Sequence, residues 1–569
     1  MSLLDWVVLG GTLLFIVGFG IYRTRGQQDM EGYLKGGYSF RWWTVGLSVM
    51  ATQASAITFL STPGQAFESG MGFVQFYLGL PLAMIVLSIT FIPIYYRLKV
   101  YTAYEFLENR FDLKTRILAA FLFLVQRGLA AGITIFAPSI ILSTILGWSL
   151  SVTTLIIGVL VTIYTVSGGT KAVSQTQKQQ MAVMLGGMVV AVFVILNLLP
   201  EGVSFGDAID VAGTMGKLEV ITFEFDPSDR YNIWSGLTGG FFLQLAYFGT
   251  DQSQVQRYLT GQSITQSRLG LLMNGLLKVP MQFLILMVGI LVFVFYQFYQ
   301  PPLFFIEKGR DSVAQSAFAV QCEEIDQQYQ QVFEEKRETI QTLLNQLETG
   351  ESEAAAATRQ RINELEAETL SLKAQANEVV AQADPENETE DTDYVFLTFV
   401  MRYFPQGVVG LLLAVIFSAA MSSTASELNA LGTTTMIDFY RRTIRPEASE
   451  RHYLHMSRWF TLGWGVIAII FASLASLADN LIEFVNLVGS LFYGTILGIF
   501  LTAFYIRRIG ANATFLGALI AEGVVLTLFV FYNEQIGYLW YNFIGCALMV
   551  LSGLLLQSIL PRTSNSKSD

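Results

Sequence analysis

The chain has 569 residues, 53% of them hydrophobic and only 14% charged, with a formal net charge of −11. Soluble domains carry roughly 25% charged residues, so the shortfall excludes an ordinary water-soluble globule and points to a polytopic membrane protein. The two cysteines, Cys322 and Cys546, fall in segments that are not expected to meet, which excludes a disulfide framework.

A hydrocarbon layer about 30 Å thick needs ~20 apolar residues per helix. Thirteen runs read as such helices: 4–22, 41–62, 73–96, 117–147, 151–166, 179–199, 233–256, 270–298, 398–436, 458–477, 481–505, 512–532 and 536–559. The first reads as a retained span and not a cleaved leader, because Asp5 stands where basic residues would precede a signal peptide. Arg23 and Arg25 follow it, which predicts an outer N-terminus; thirteen crossings then place the C-terminus in the cytoplasm. The predicted inner segments hold 22 Lys and Arg residues, Lys35, Arg562 and Lys567 among them. The outer segments hold ten, seven of them in one insertion. This is an all-α chain of a plasma membrane or bacterial inner membrane.

In the second span the centre, Ala51 to Thr58, is small and polar. Small residues permit close helix packing; the same stretch also suits a locally unwound helix whose free carbonyls bind a cation. Pro63-Gly64 predicts a turn into the third span. Arg127 lies about ten residues into the fourth span, ~15 Å deep at 1.5 Å per residue. An ionised group there faces a cavity or a partner. Lys278 is similarly deep in the eighth span; its stem can snorkel, or the ammonium can serve a solute or a gate.

Residues 306–393 interrupt the membrane pattern with 21 acidic and 7 basic residues, so the acidity of the chain belongs to this insertion. Ile325, Tyr329, Val332, Ile340, Leu344 and Leu347 form one apolar stripe, and Ile362, Leu365, Leu372, Ala376 and Val379 a second. Thr349-Gly350-Glu351-Ser352 breaks the two. The spacing predicts an antiparallel, coiled-coil-like hairpin outside the membrane. It is either a solvated decoration or a docking site for a partner or a second copy of the chain. The run Asp384–Asp393 reads as a flexible return. The membrane-spanning remainder is 1–305 and 394–569.

The ninth span is dense in hydroxyls: Ser422, Ser423, Thr424 and Ser426. Oxygen ligands suit a hard cation, although hydroxyls also bond their own helix carbonyls. Glu427 and Asp438 read as capping or packing partners. His452 and His455 lack metal-ligand spacing. No nucleophile–base pair, metal cluster or phosphate-binding loop is present, so neither an enzyme nor a nucleic-acid partner is expected.

These segments carry a resemblance. Arg41–Gly70 and Gly407–Tyr440 resemble the two sodium-site helices of the solute/sodium symporter family. Tyr164-Thr165-Val166-Ser167-Gly168-Gly169-Thr170-Lys171 is similar to its signature before the sixth span, and Gly249–Leu259 to the end of its seventh. Tyr101–Phe111 resembles the branch that carries iodide, monocarboxylates and vitamins. The resemblance implies a leucine-transporter-like fold, with spans 2–6 and 7–11 as two inverted five-helix repeats. It implies Na⁺ bound by the carbonyls of Ala51, Ala54 and Ala419 and the hydroxyls of Ser422 and Ser423. The matching solute pocket is Gln53, Ser55 and Thr58; Phe76, Tyr77 and Leu80; Gln244, Tyr247 and Phe248; and Asn486 and Ser490. Sialic-acid carriers of the family bind the substrate carboxylate with an arginine on the helix that holds Arg127, about one turn nearer the outside.

One position departs from the pattern: where family members with a second sodium carry an acid, this chain has Gln177. A neutral amide binds Na⁺ more weakly, which predicts a single coupled sodium. The expectation is sodium-coupled import of a small organic solute by alternating access, the solute being an anion such as a monocarboxylate. Tyr77 and Leu80, where sugar carriers have a carboxylate and a hydroxyl, weaken a sugar or other neutral solute, which stays as the alternative. A transporter-like solute sensor is the alternative from another class.

Overall fold

The computed structural model describes residues 1–24, 40–98, 100–306, 313, 316–383, 391–473 and 480–560, without the side chains of 20–24, 167, 168, 171 and 172. Arg25, Lys35, Arg562, Lys567, the side chain of Arg23 and residues 384–390 of the acidic return therefore lie outside the described residues.

Helix α1 (Leu3–Thr24) is followed by two helices where one crossing was expected, α2 (Trp42–Gln53) and α3 (Ala56–Ser69). A 3-10 stretch, Gly70–Tyr77, leads into α4 (Leu80–Ile89) and α5 (Phe91–Leu98). The short α6 (Glu105–Arg110) precedes α7 (Leu113–Leu146), which Asp112 caps at Thr115 N (2.9 Å) and Gly147 ends in the left-handed region at φ 66°. The expected fifth and sixth crossings form one helical run, α8 (Leu150–Leu198), bent at Gly169, where φ 60° and ψ −175° leave helical space. Then come α9 (Phe205–Thr214), a π-helical turn Ser235–Gly240, α10 (Phe241–Thr250), α11 (Gln252–Tyr258) and α12 (Ile264–Phe298).

Two long helices, α13 (Ala319–Thr349) and α14 (Ser352–Ala383), form the expected hairpin, turned at Gly350 (φ 76°). Ile325, Tyr329, Val332 and Ile340 are buried against Ile362, Leu365, Leu372 and Val379, and Lys336 bridges to Glu366 at 2.8 Å. The chain continues as α15 (Thr392–Tyr403), α16 (Val408–Thr434, prolonged by a π-helical Thr435–Ile444), α17 (Glu450–Ala472), α18 (Leu481–Tyr505), α19 (Ala511–Tyr532) and α20 (Leu539–Ile559).

Among the described residues nine helical stretches are long and apolar enough to cross a membrane, and Leu3–Phe19 and Leu150–Val166 are shorter apolar helices. The central helix is α16, buried along nearly its whole length and packed on α8, α7, α1, α17 and α3. Its first turn is capped from outside: Asp5 of α1 accepts from the Gly407 and Gly410 N–H groups at 2.6 and 3.2 Å.

Three expectations are corrected. The run 398–436 is not one span, because Pro405 and Gly407 (φ 86°) separate α15 from α16. Pro63-Gly64 does not turn the chain; both lie inside α3, and Gly64 instead admits a neighbour, since a Cβ there would stand 2.0 Å from the Thr392 carbonyl oxygen. The end of the acidic return is not solvated: Asp391 and Asp393 are buried, and Asp391 accepts from Phe305 N and from Lys373 Nζ, each at 2.9 Å.

Candidate functional site

Both broken helices have a local cause and a local remedy. At the first break Ala54 (φ −80°, ψ 86°) and Ser55 (φ −82°, ψ 173°) leave helical space, and α16 lies opposite. Ser422 Oγ reaches across to donate to the Ala51 carbonyl at 2.7 Å, and Ser423 Oγ donates to the Ala419 carbonyl at 3.0 Å. Ala51, Ala54, Ala419, Ser422 and Ser423 are all buried. Four of these five expected sodium ligands thus already contact one another in pairs, and Ala54 lies at the break itself. Turning the two hydroxyl protons aside would present oxygen to a cation. At the second break Asp251 (φ −78°, ψ 119°) separates α10 from α11 and caps Ser253 N at 2.8 Å. The carbonyls released there are taken by tyrosines: Gly249 by Tyr95 and Thr250 by Tyr104, each at 2.8 Å.

Below the first break, Gln177 of α8 donates through Nε2 to Thr52 Oγ1 (2.9 Å), Ser422 Oγ (3.0 Å) and Ser426 Oγ (3.0 Å), and accepts from Ser48 Oγ.

A cavity opens between the two broken helices, α7 and α18. Gln53, Ser55, Thr58, Phe76, Tyr77, Arg127, Gln244, Tyr247 and Asn486 line it as expected, joined by Gln126, Thr134, Glu427 and Tyr493. Leu80, Phe248 and Ser490 do not. The 3-10 stretch ending at Tyr77 shifts the register, so Leu80 packs in the core. Phe248 is buried behind Tyr247. Ser490 faces away, accepting from Asn542 Nδ2 of α20 at 2.8 Å. Lys278 is fully buried, does not snorkel, and makes no hydrogen bond among the described residues; its ammonium lies 5.6 Å from the centre of the Tyr77 ring.

Arg127 lines this cavity, and it is already paired. Its Nε donates to Asp251 at 2.9 Å and its Nη1 to Glu427 at 3.0 Å; Nη2 contacts Asp251 and the Tyr493 hydroxyl. Tyr493 also donates to Asp251 (2.8 Å) and Thr134 to Glu427 (2.8 Å). With both carboxylates ionised this buried cluster carries a net −1. Sequence reasoning missed Asp251 and Glu427 as partners of Arg127. The signal was there: a buried guanidinium needs a counter-charge, and few acidic residues lie within the apolar runs.

Two seals flank the cavity. At the hairpin end three consecutive residues fasten α15: Asp391 to Lys373, Thr392 Oγ1 to Glu68 (2.8 Å), and Asp393 to the Leu481 N–H (3.2 Å); Asn480 donates to Gln65 at 2.8 Å. At the opposite end Arg116 bridges Asp438 (2.7 Å) and Glu108 (2.8 Å), Arg442 joins Glu108, and Thr102 donates to Asp438 at 2.8 Å.

The sequence pattern of the sodium:solute symporter family matches residues 33–315 and 372–521. The chain belongs to that family. Most of the hairpin falls between the two matched stretches. The human sodium/iodide cotransporter is 33% identical over 299 residues, which is 51% of this chain and 45% of that protein. Mouse sodium-coupled monocarboxylate transporter 1 is 33% identical over 273 residues, 48% of this chain and 44% of that one. The alignments thus span a little under half the length of these relatives, which are Na⁺-coupled transporters and not enzymes. The fold matches that of a Na⁺-coupled sialic acid symporter in a substrate-bound outward-open state, with TM-score 0.76, 22% identity and 99% of each chain covered. The chain is therefore a multi-pass membrane protein with a symporter fold.

Proposed function

We propose that this symporter-family chain imports a small polar solute together with one Na⁺ by alternating access. The observation that carries the reading is the break at Ala54–Ser55 facing the hydroxyl-bearing face of α16. Carbonyls released from a helix, set against serine hydroxyls in a buried place, are what a monovalent cation needs in order to exchange its water. Na⁺ is co-substrate there, held by the carbonyls of Ala51, Ala54 and Ala419 and by Ser422 and Ser423. Interrupted helices at the start of each half, α2/α3 and α10/α11, support two inverted five-helix repeats, with solute bound between them. The chain then runs from an outer N-terminus to an inner C-terminus, with 306–393 as an outer insertion available to a partner or a second copy.

The solute meets Gln53, Ser55, Thr58, Phe76, Tyr77, Gln244, Tyr247 and Asn486. An anionic solute relies on Arg127. That guanidinium, however, is shared by Asp251 and Glu427, so a solute carboxylate would have to compete with two carboxyl groups for it. Gln53 Oε1, Gln126 Oε1 and Gln244 Nε2 are buried and make no hydrogen bond among the described residues. Unpaired buried amide atoms cost about 1–3 kcal/mol each, and a neutral solute with donors and an acceptor would satisfy them. The neutral class is therefore favoured over the monocarboxylate that the relatives suggest. The two differ electrically: one Na⁺ with a monoanion moves no net charge, whereas one Na⁺ with a neutral solute moves one, worth ~2.3 kcal/mol per 100 mV.

Thermal unfolding of the purified chain with and without Na⁺ tests the sodium site. Na⁺ stabilises the native chain in proportion to its occupancy. Ser422→Ala and Ser423→Ala are each expected to raise the Na⁺ concentration for half-maximal stabilisation tenfold or more, equivalent to about 1.4 kcal/mol. Identical Na⁺ curves for wild type and both variants would overturn the assignment.

A further inference from the structure

The surroundings of Gln177 go further than the substitution of an acid by an amide. Three hydroxyl oxygens, from Thr52 on α2 and from Ser422 and Ser426 on α16, converge within 3.0 Å of one nitrogen. Such a ring of neutral oxygens around one centre is the surrounding a hard cation seeks. Here the centre is the Nε2 group, a dipole with its positive end in the ring and its tether in α8. The acceptor side of the same amide takes the Ser48 hydroxyl; Ser48 touches Ser174 at 3.2 Å, and Ser174 accepts from Arg257 Nη1 at 3.3 Å. Arg257 is fully buried and has no carboxylate partner among the described residues. The charge this network leads to is thus positive, which further opposes a second mobile cation.

We propose that the Gln177 amide is a tethered substitute for a cation: it holds α2 and α16 to α8 permanently, as an ion would hold them transiently, and it fixes the number of coupled sodium ions at one. The proposal rests on the one-sodium reading above and supplies its determinant. Gln177 is a positioning residue in the remaining site as well. By donating to Ser422 Oγ it engages one lone pair of an expected Na⁺ ligand, whose own O–H donates to the Ala51 carbonyl.

The test is equilibrium binding of radioactive Na⁺ to the purified full-length chain, with K⁺ holding ionic strength constant. It compares wild type with Gln177→Glu, which is isosteric, Gln177→Asp, and Gln177→Asn, which keeps the amide. Wild type and Gln177→Asn are expected to bind one Na⁺ per chain with a Hill coefficient near 1. The two acidic variants are expected to bind two, and their Na⁺-dependent thermal stabilisation should steepen from the first toward the second power of Na⁺ concentration. If both acidic variants fold and still bind one Na⁺, the substitute role is overturned while the sodium site stands. Two Na⁺ in the wild type overturns the proposal together with the one-sodium reading. No Na⁺ bound by the wild type overturns the proposed function itself.

Discussion

The two ends of the cavity are fastened in different proportions of hydrogen bonds and ion pairs. At the hairpin end α15 is held by one ion pair, Asp391 to Lys373, and by hydrogen bonds from Thr392 to Glu68 and from the Leu481 N–H to Asp393, while Asn480 joins α18 to Gln65 of α3. At the opposite end the closure is a chain of charges, Arg442–Glu108–Arg116–Asp438. Hydrogen bonds contribute roughly 0.5–1.5 kcal/mol between neutral groups and about 1.5–3 kcal/mol when one partner is charged. Removing one partner of a buried ion pair strands the other and costs about 3–5 kcal/mol. The opposite end, where three linked ion pairs stand against the one pair that fastens α15 among the described residues, is therefore expected to lose more when one partner is removed.

The sharpest way to break this comparison is Arg116→Met, which leaves Asp438 fully buried without its counter-charge. A loss of ~3–5 kcal/mol is expected in unfolding of the detergent-solubilised chain, with much of it restored in Arg116→Met combined with Asp438→Asn. A loss below ~1 kcal/mol would make the two ends equivalent. Thr392→Val, which removes a hydrogen bond to the Glu68 carboxylate, is expected to cost less, about 1.5–3 kcal/mol, in the same assay.

The smallest effect distinguishes the ends by sign. Burial pushes the Asp393 carboxyl up to about 6, with Glu483 and Glu68 adding to the rise against the help of Ser61 and the Leu481 N–H. The folded chain then holds this proton more tightly than the unfolded chain, so stability rises as pH falls from about 6 toward 4. Burial also raises the Glu108 carboxyl, but hydrogen bonds from Arg442 and Arg116 outweigh it and hold the group below its ordinary 4.5. Its contribution is intact above pH 4.5 and disappears as the pH falls further. Asp393→Asn is expected to flatten the upper limb of the stability profile and Glu108→Gln the lower. A profile unchanged by both variants would remove the electrostatic distinction between the seals.

What the sequence revealed follows the range of each interaction. The break in the second span was legible because Ala51–Thr58 is polar and small where lipid-facing helix would be branched and apolar. The hairpin was legible because its apolar stripes repeat locally. Leu80 and Ser490 were misplaced because their directions depend on a 3-10 stretch and on α20, neither of which leaves a periodic trace. The pairing of Arg127 with Asp251 and Glu427 joins residues 124 and 300 positions apart, and only the tertiary fold brings them together.

The bond from Ser422 to the Ala51 carbonyl spans 371 positions of sequence. At roughly 5–20 residues per second of synthesis, Ala51 leaves the ribosome roughly 20–75 s before its partner exists. Throughout that interval the pair α2 and α3 lacks the partner that satisfies its interrupted backbone, and an unsatisfied carbonyl in hydrocarbon costs several kcal/mol. The cross-helix bond thus makes biogenesis depend on water or the insertion machinery to shelter that gap until α16 arrives.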